Sequence, residues 1–165
     1  PPPPPPRPHT ERKGTVDDMT FTVAGIPATK GSYRIVGGRK HGRLVADNGR
    51  ELPWRSAVAN TIRRQWWQAH PNERLPRRKD ACEIDAVWSL LRPRTIRRTH
   101  PAVKPDLDKL ARALFDAVTD SGLIFDDGRI VHATLTKTYC TSMREQGVRF
   151  TIHWLDDEPH RREEP

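Results

Sequence analysis

The chain has 165 residues, 35% hydrophobic and 30% charged, which fits one wet globular domain with a modest core. No apolar run approaches the ~18 residues a membrane span needs, and Cys82 and Cys140, with no CxxC spacing, indicate neither a zinc site nor a redox motif. The net charge of +8 is concentrated: residues 19–155 hold 24 basic and 13 acidic groups, a net +11, so nucleic acid leads as partner.

Residues 1–17 open on Pro1–Pro6, Arg7 and Pro8 and read as a disordered or polyproline II lead, not as the apolar core of a secretion signal. Met19 to Ile26 alternates and predicts a first strand. Short strands are expected at 33–36 and 43–46, around a basic turn Gly37–Gly42. Pro53 is expected to open a helix, in which Trp54, Val58, Ile62 and Trp66 make an apolar stripe. Asn72 to Asp80 is a basic linker. Cys82 to Leu91 predicts a strand with Ile84, Ala86, Trp88 and Leu90 on one face. Four arginines then fall within residues 92–100, the densest positive patch in the chain.

A second helix is predicted over 105–119, burying Leu107, Leu110, Ala111, Leu114 and Val118, with Ser121-Gly122 as its stop. Strands follow at 130–139 and 148–155, where Val148, Phe150, Ile152 and Trp154 alternate. His132 and His153 read as strand residues rather than catalytic bases. Trp66 reads as core, and Trp67, off the stripe, faces solvent or a partner. Residues 156–165 form a polar tail. The expected fold is α+β: a mixed sheet flanked by two helices.

The carboxylates Asp106, Asp108, Asp126 and Asp127 carry the chemistry. Each has a bland reading: Asp106 and Asp108 as helix-start caps, Asp126-Asp127-Gly128 as a turn. Together they suggest more. Two carboxylates in one helical turn, joined by a third from a nearby loop, can hold Mg²⁺. In so basic a body, a bare acid patch would repel DNA unless a cation neutralised it. Arg112 lies one turn below Asp108 and shares its face.

The run Lys104-Pro105-Asp106-Leu107-Asp108-Lys109-Leu110-Ala111-Arg112-Ala113-Leu114-Phe115-Asp116-Ala117-Val118, followed by Gly122-Leu123-Ile124-Phe125-Asp126-Asp127-Gly128-Arg129-Ile130-Val131, closely resembles the RusA family of Holliday junction resolvases over residues 104–138. Gly25 to Lys30 is a weaker match to the family's opening strand and its proline–lysine loop. The resemblance implies a RusA-like endonuclease domain over 18–155. It implies a homodimer that is Mg²⁺- or Mn²⁺-dependent and makes paired nicks in four-way DNA junctions, in a bacterial or phage-encoded cytoplasmic protein. The essential carboxylates would be Asp106, Asp108 and Asp127, with Asp126 in support and Asp116 paired with Arg112 or a packing residue. Lys109 stands where the family usually has asparagine, and Arg112 where it has its functional lysine. Arginine keeps the charge and clamps phosphate but does not readily give up a proton. Lys30, Arg94, Arg97, Arg98, Lys104, Lys109 and Lys137 are expected to grip DNA backbones without reading sequence. Two other readings remain: a non-catalytic branched-DNA-binding descendant, and a structural module whose aspartates only cap and turn.

Overall fold

The structure is a computed structural model that describes residues 18–31 and 49–155, and the backbone of 33–36 and 43–46. The proline-rich lead, the Gly37–Gly42 turn and the tail after Leu155 lie outside the described residues. The strands are β1 (Met19–Ala24), β2 (Tyr33–Val36), β3 (Arg43–Ala46), β4 (Cys82–Leu91), β5 (Ile130–Cys140) and β6 (Gly147–Trp154). The helices are α1 (Glu51–Ala69) and α2 (Leu107–Ser121), and short 3-10 turns precede β5 and β6 at Asp127–Arg129 and Met143–Glu145.

Four strands form one sheet in the order β1-β6-β4-β5. β4 and β5 run parallel, and the other neighbours are antiparallel, so the sheet is mixed. β2 and β3 pair with each other as a separate antiparallel hairpin. The architecture is therefore α+β, as the alternation and helical stripes predict.

Alternation along β4 sends Cys82, Ile84, Ala86, Trp88 and Leu90 inward, each buried. Cys82, Ile84, Ala86 and Trp88 join Phe150 and Ile152 of β6 and Phe21 of β1, and the Phe21 and Phe150 rings stack at 5.1 Å. Trp54, Val58 and Ile62 of α1 and Leu110, Ala111, Leu114, Ala117 and Val118 of α2 close over them in one cluster. The opposite sheet face has no helix over it among the described residues. It carries Thr20, Thr22, Thr134, Thr136, Thr138 and Thr151 with Asp85 and Val87.

α1 begins two residues earlier than expected, at Glu51. Proline anywhere in the first turn costs no hydrogen bond, because those N–H groups have no helical partner. The Glu51 carboxylate also accepts the Gly31 N–H at 2.7 Å, which anchors that start. α2 ends at Ser121, with Gly122 left-handed at φ 85°. Its last carbonyls are covered by Arg63, which donates to the Asp120 and Ser121 oxygens at 2.5 and 3.3 Å. At the head of β6, Gly147 is held at φ 153°, where a Cβ would fall onto the Val23 carbonyl.

β4, α2 and β5 form a parallel crossover, so α2 runs back against the two strands. Both ends are pinned. Arg77 N–H donates to the Gly122 carbonyl at 3.0 Å, fixing the C-terminal end beside the entry to β4. Lys137, near the exit of β5, donates to the Val103 and Pro105 carbonyls at 2.8 and 2.9 Å, fixing the N-terminal end.

His153 ties the start of β1 to the uncovered face. Its Nδ1 lies 2.9 Å from an Asp18 carboxylate oxygen and its Nε2 3.1 Å from one of Asp85. Only the doubly protonated ring can donate both bonds. Burial pulls the imidazole down, but hydrogen bonds and charge from Asp18 and Asp85 outweigh it, and the net position is above the ordinary 6.5. A raised folded-state value contributes stability that is complete below the unfolded value and is lost as pH rises through the folded one. The Tm gap between the parent and His153→Asn should therefore be full below the ordinary histidine value of about 6.5 and shrink as pH rises above it. A constant gap would show that the ring does not titrate there.

Candidate metal and nucleic-acid site

Asp106 is the residue that caps α2 by position, with extended backbone at φ −70° and ψ 137°, yet its side chain makes no capping hydrogen bond. Its carboxylate instead lies 3.2 Å from the Lys109 ammonium. Asp108, in the first turn, is exposed and has no ion-pair or side-chain hydrogen-bond partner among the described residues. Arg112 is exposed on the next turn and likewise has none. These two carboxylates and two cations lie on the first turns of α2, Asp108 and Arg112 exposed and Asp106 and Lys109 half-buried.

The expected backbone-gripping cations divide. Arg94 and Arg97 stand exposed on the loop between β4 and α2, as does Lys104 at the approach to Asp106. Arg98 is also exposed and reaches the Ala102 carbonyl at 3.5 Å. Lys137 is not a free cation, because its ammonium is spent on the Val103 and Pro105 carbonyls. Lys30 is ion-paired with Asp116 at 2.7 Å, while its N–H donates to the Lys109 carbonyl at 3.1 Å. Asp116 thus pairs with Lys30, and with Arg55 at 3.6 Å, rather than with Arg112. It faces α1, and Arg112 faces solvent.

Asp126 and Asp127 lie elsewhere. They precede β5, at the end of the crossover where α2 finishes. Asp106 and Asp108 lie at the other end of a 15-residue helix, about 22 Å long at 1.5 Å per residue. Among the described residues no three His, Cys, Asp or Glu side chains stand close enough to hold a metal. Within one copy, therefore, Asp126 and Asp127 follow the C-terminal end of α2, and Asp106 and Asp108 share its N-terminal end. The pair still suits Mg²⁺, which takes one or two carboxylates and completes its shell with water and substrate phosphate.

Asp126 heads a 3-10 turn, and it too makes no side-chain cap. Its nearest cation is Arg129, with Nε at 3.8 Å. Arg129 was not among the expected site residues, nor were Arg77 and Lys79, although the linker's basic composition marks the latter two. The cysteines offer no nucleophile. Both are buried, and burial pushes the Cys82 thiol up to about 11. His132 and His153 lie on β5 and β6. Trp66 is partly buried against the core, while Trp67 is 52% exposed. Among the described residues no helix is long and apolar enough to cross a membrane. No protein-family model matches this chain, and no curated protein is significantly similar to it.

Proposed function

We propose that this chain is a RusA-like, Mg²⁺-dependent, structure-selective DNA endonuclease that cuts four-way junctions as a homodimer. One observation carries the reading. Asp106 and Asp108 occupy a helix start, where Asp106 makes no capping bond and Asp108 is exposed to solvent, within a strongly basic body. A carboxylate that does not cap its helix and one that pairs with nothing among the described residues, set among cations, suit a divalent ion and a phosphodiester together.

Asp106 and Asp108 would hold the ion. When bound it would polarise the scissile phosphate and lower the pKa of an attacking water. Arg112 would clamp the phosphate, and Lys109 would leave Asp106 for the same task. Arg94, Arg97, Arg98 and Lys104 would hold the backbone, fixing register without sequence choice. Asp127 would complete the centre from the second copy, with Asp126 beside it, because α2 separates it from Asp106 and Asp108 within one chain. A two-fold dimer places one such centre on each of two equivalent strands.

The primary test is nicking of a synthetic four-way junction with Mg²⁺ and with EDTA. Cutting that depends on the metal supports the reading, and no cutting in either overturns it. The shared centre has its own test. Asp108→Asn and Asp127→Asn should each be inactive alone, yet mixing them should restore one intact centre per heterodimer, and with it nicking of one strand. Failure of the mixture to cut would remove the second copy's Asp127 from the centre. A non-catalytic branched-DNA-binding protein is the second reading, favoured by the Lys109 ammonium already neutralising Asp106 at 3.2 Å. It predicts junction binding that survives EDTA and no nicking.

A further inference from the structure

We propose that Arg77, Lys79 and Arg129, gathered around the ring of Phe125, form a second phosphate-backbone clamp that holds a duplex arm at the far end of α2. This rests on the DNA reading above; none of the three cations is a proposed metal ligand, and the cluster flanks Asp126 and Asp127, which that reading brings to the centre of the second copy. The Arg77 and Arg129 guanidinium carbons lie 5.4 and 5.8 Å from the Phe125 ring centroid, and the Lys79 ammonium 5.2 Å. Three cations thus share one ring that is itself 41% exposed.

The local backbone enforces this gathering. The Arg78 N–H donates to the Leu123 carbonyl at 2.9 Å, and the Phe125 N–H donates to the Arg78 carbonyl at 2.9 Å. Those two bonds lay residues 77–79 alongside 123–125 in a short parallel bridge. Arg78 turns to the other side, onto Asp80 at 3.0 Å and over the Trp154 ring at 4.2 Å. Arg77 and Lys79 are left flanking Phe125. Arg77 holds a left-handed backbone, φ 45°, which a side chain makes costly and a glycine would adopt more easily. Strain retained at a non-glycine position motivates a role for the guanidinium itself.

The charge in this cluster is under-compensated. Among the described residues Arg77 and Lys79 have no ion-pair partner. Arg129 has only Asp126 at 3.8 Å, donates through Nη1 to the Lys79 carbonyl at 3.2 Å, and leaves its Nε without a hydrogen bond. Like charges held this close call for an anion. The ring is already attended by the cations, which leaves their outward N–H groups for phosphate rather than the ring for a base. In the shared centre proposed above, the cluster would grip the backbone beside the phosphate held by the other copy's Asp106 and Asp108.

The test uses the full chain carrying Asp108→Asn, so that junction DNA is bound and not cut. Adding R77A, K79A and R129A should weaken binding at least tenfold and make the plot of log affinity against log salt shallower by about two to three, at ~0.9 for each phosphate no longer neutralised. Lys79→Ala alone, at an exposed side chain, should shift it by about 0.9. Arg77→Lys with Arg129→Lys should keep the parent slope, since phosphate reads charge here. Unchanged slopes in the triple and Lys79→Ala variants overturn the clamp. So does an equal loss in the lysine pair, which would mark a structural role. If the Asp108→Asn protein binds no junction at all, the functional reading falls and the clamp falls with it; if that protein binds normally and only the clamp variants are silent, the clamp alone fails.

Discussion

Asp108→Asn should bind a four-way junction at least as tightly as the parent and cut it at least about 100-fold more slowly, since even the outer-shell partners of a bound metal are worth 10–100-fold. The two halves have separate causes. Asparagine keeps the shape but offers a neutral oxygen to a hard cation that prefers carboxylates. It also removes a negative charge from the surface proposed to face DNA, which favours association. No structural penalty confounds the comparison, because Asp108 is exposed and pairs with nothing among the described residues. Single-turnover nicking in Mg²⁺ reads the first half and a binding titration in EDTA the second. Cutting at the parent rate would take Asp108 out of the centre, and lost binding would make its role structural.

The largest stability effect is expected at Trp88, fully buried in β4 between its register partners Val148 and Lys137. Trp88→Ala should cost about 3–5 kcal/mol through lost transfer energy and the cavity left behind. That is a large share of a domain's typical ~5–15 kcal/mol. Trp88→Phe should behave differently. The indole N–H is buried without a hydrogen-bond partner, and an unpaired buried donor costs about 1–3 kcal/mol. Removing it offsets much of the packing that the smaller ring gives up, so the net change should stay within about 1.5 kcal/mol. Urea denaturation separates the two. A phenylalanine variant as damaged as the alanine one would mean that the N–H is satisfied in solution.

Much of this fold is legible in the sequence because burial writes itself as a period. β4 has the expected bounds and inward face, and Trp54, Val58 and Ile62 of α1 are buried as their spacing predicts. What period cannot show is who neutralises whom. Lys30 and Lys137 look like free cations in sequence, but a carboxylate on α2 and two loop carbonyls take them. Arg112 and Asp116 have ideal spacing for a helical pair, yet α1 brings Arg55 to Asp116 and the loop brings Lys30. The separation of Asp127 from Asp106 and Asp108 is likewise invisible to spacing. It follows from β4 and β5 being parallel neighbours, which obliges α2 to run its whole length between the two acidic groups.

The six threonines of the uncovered sheet face bear on how the protein behaves at high concentration. β-branching gives them the strand preference of valine, while the hydroxyl keeps the plane wettable. One pair spans neighbouring strands through its hydroxyls, Thr20 to Thr151 at 2.8 Å. Valine at those positions would preserve the strands and join Val87 in a broad sticky plate. A sheet face that no helix covers among the described residues is thus built from side chains that favour strands without shunning water.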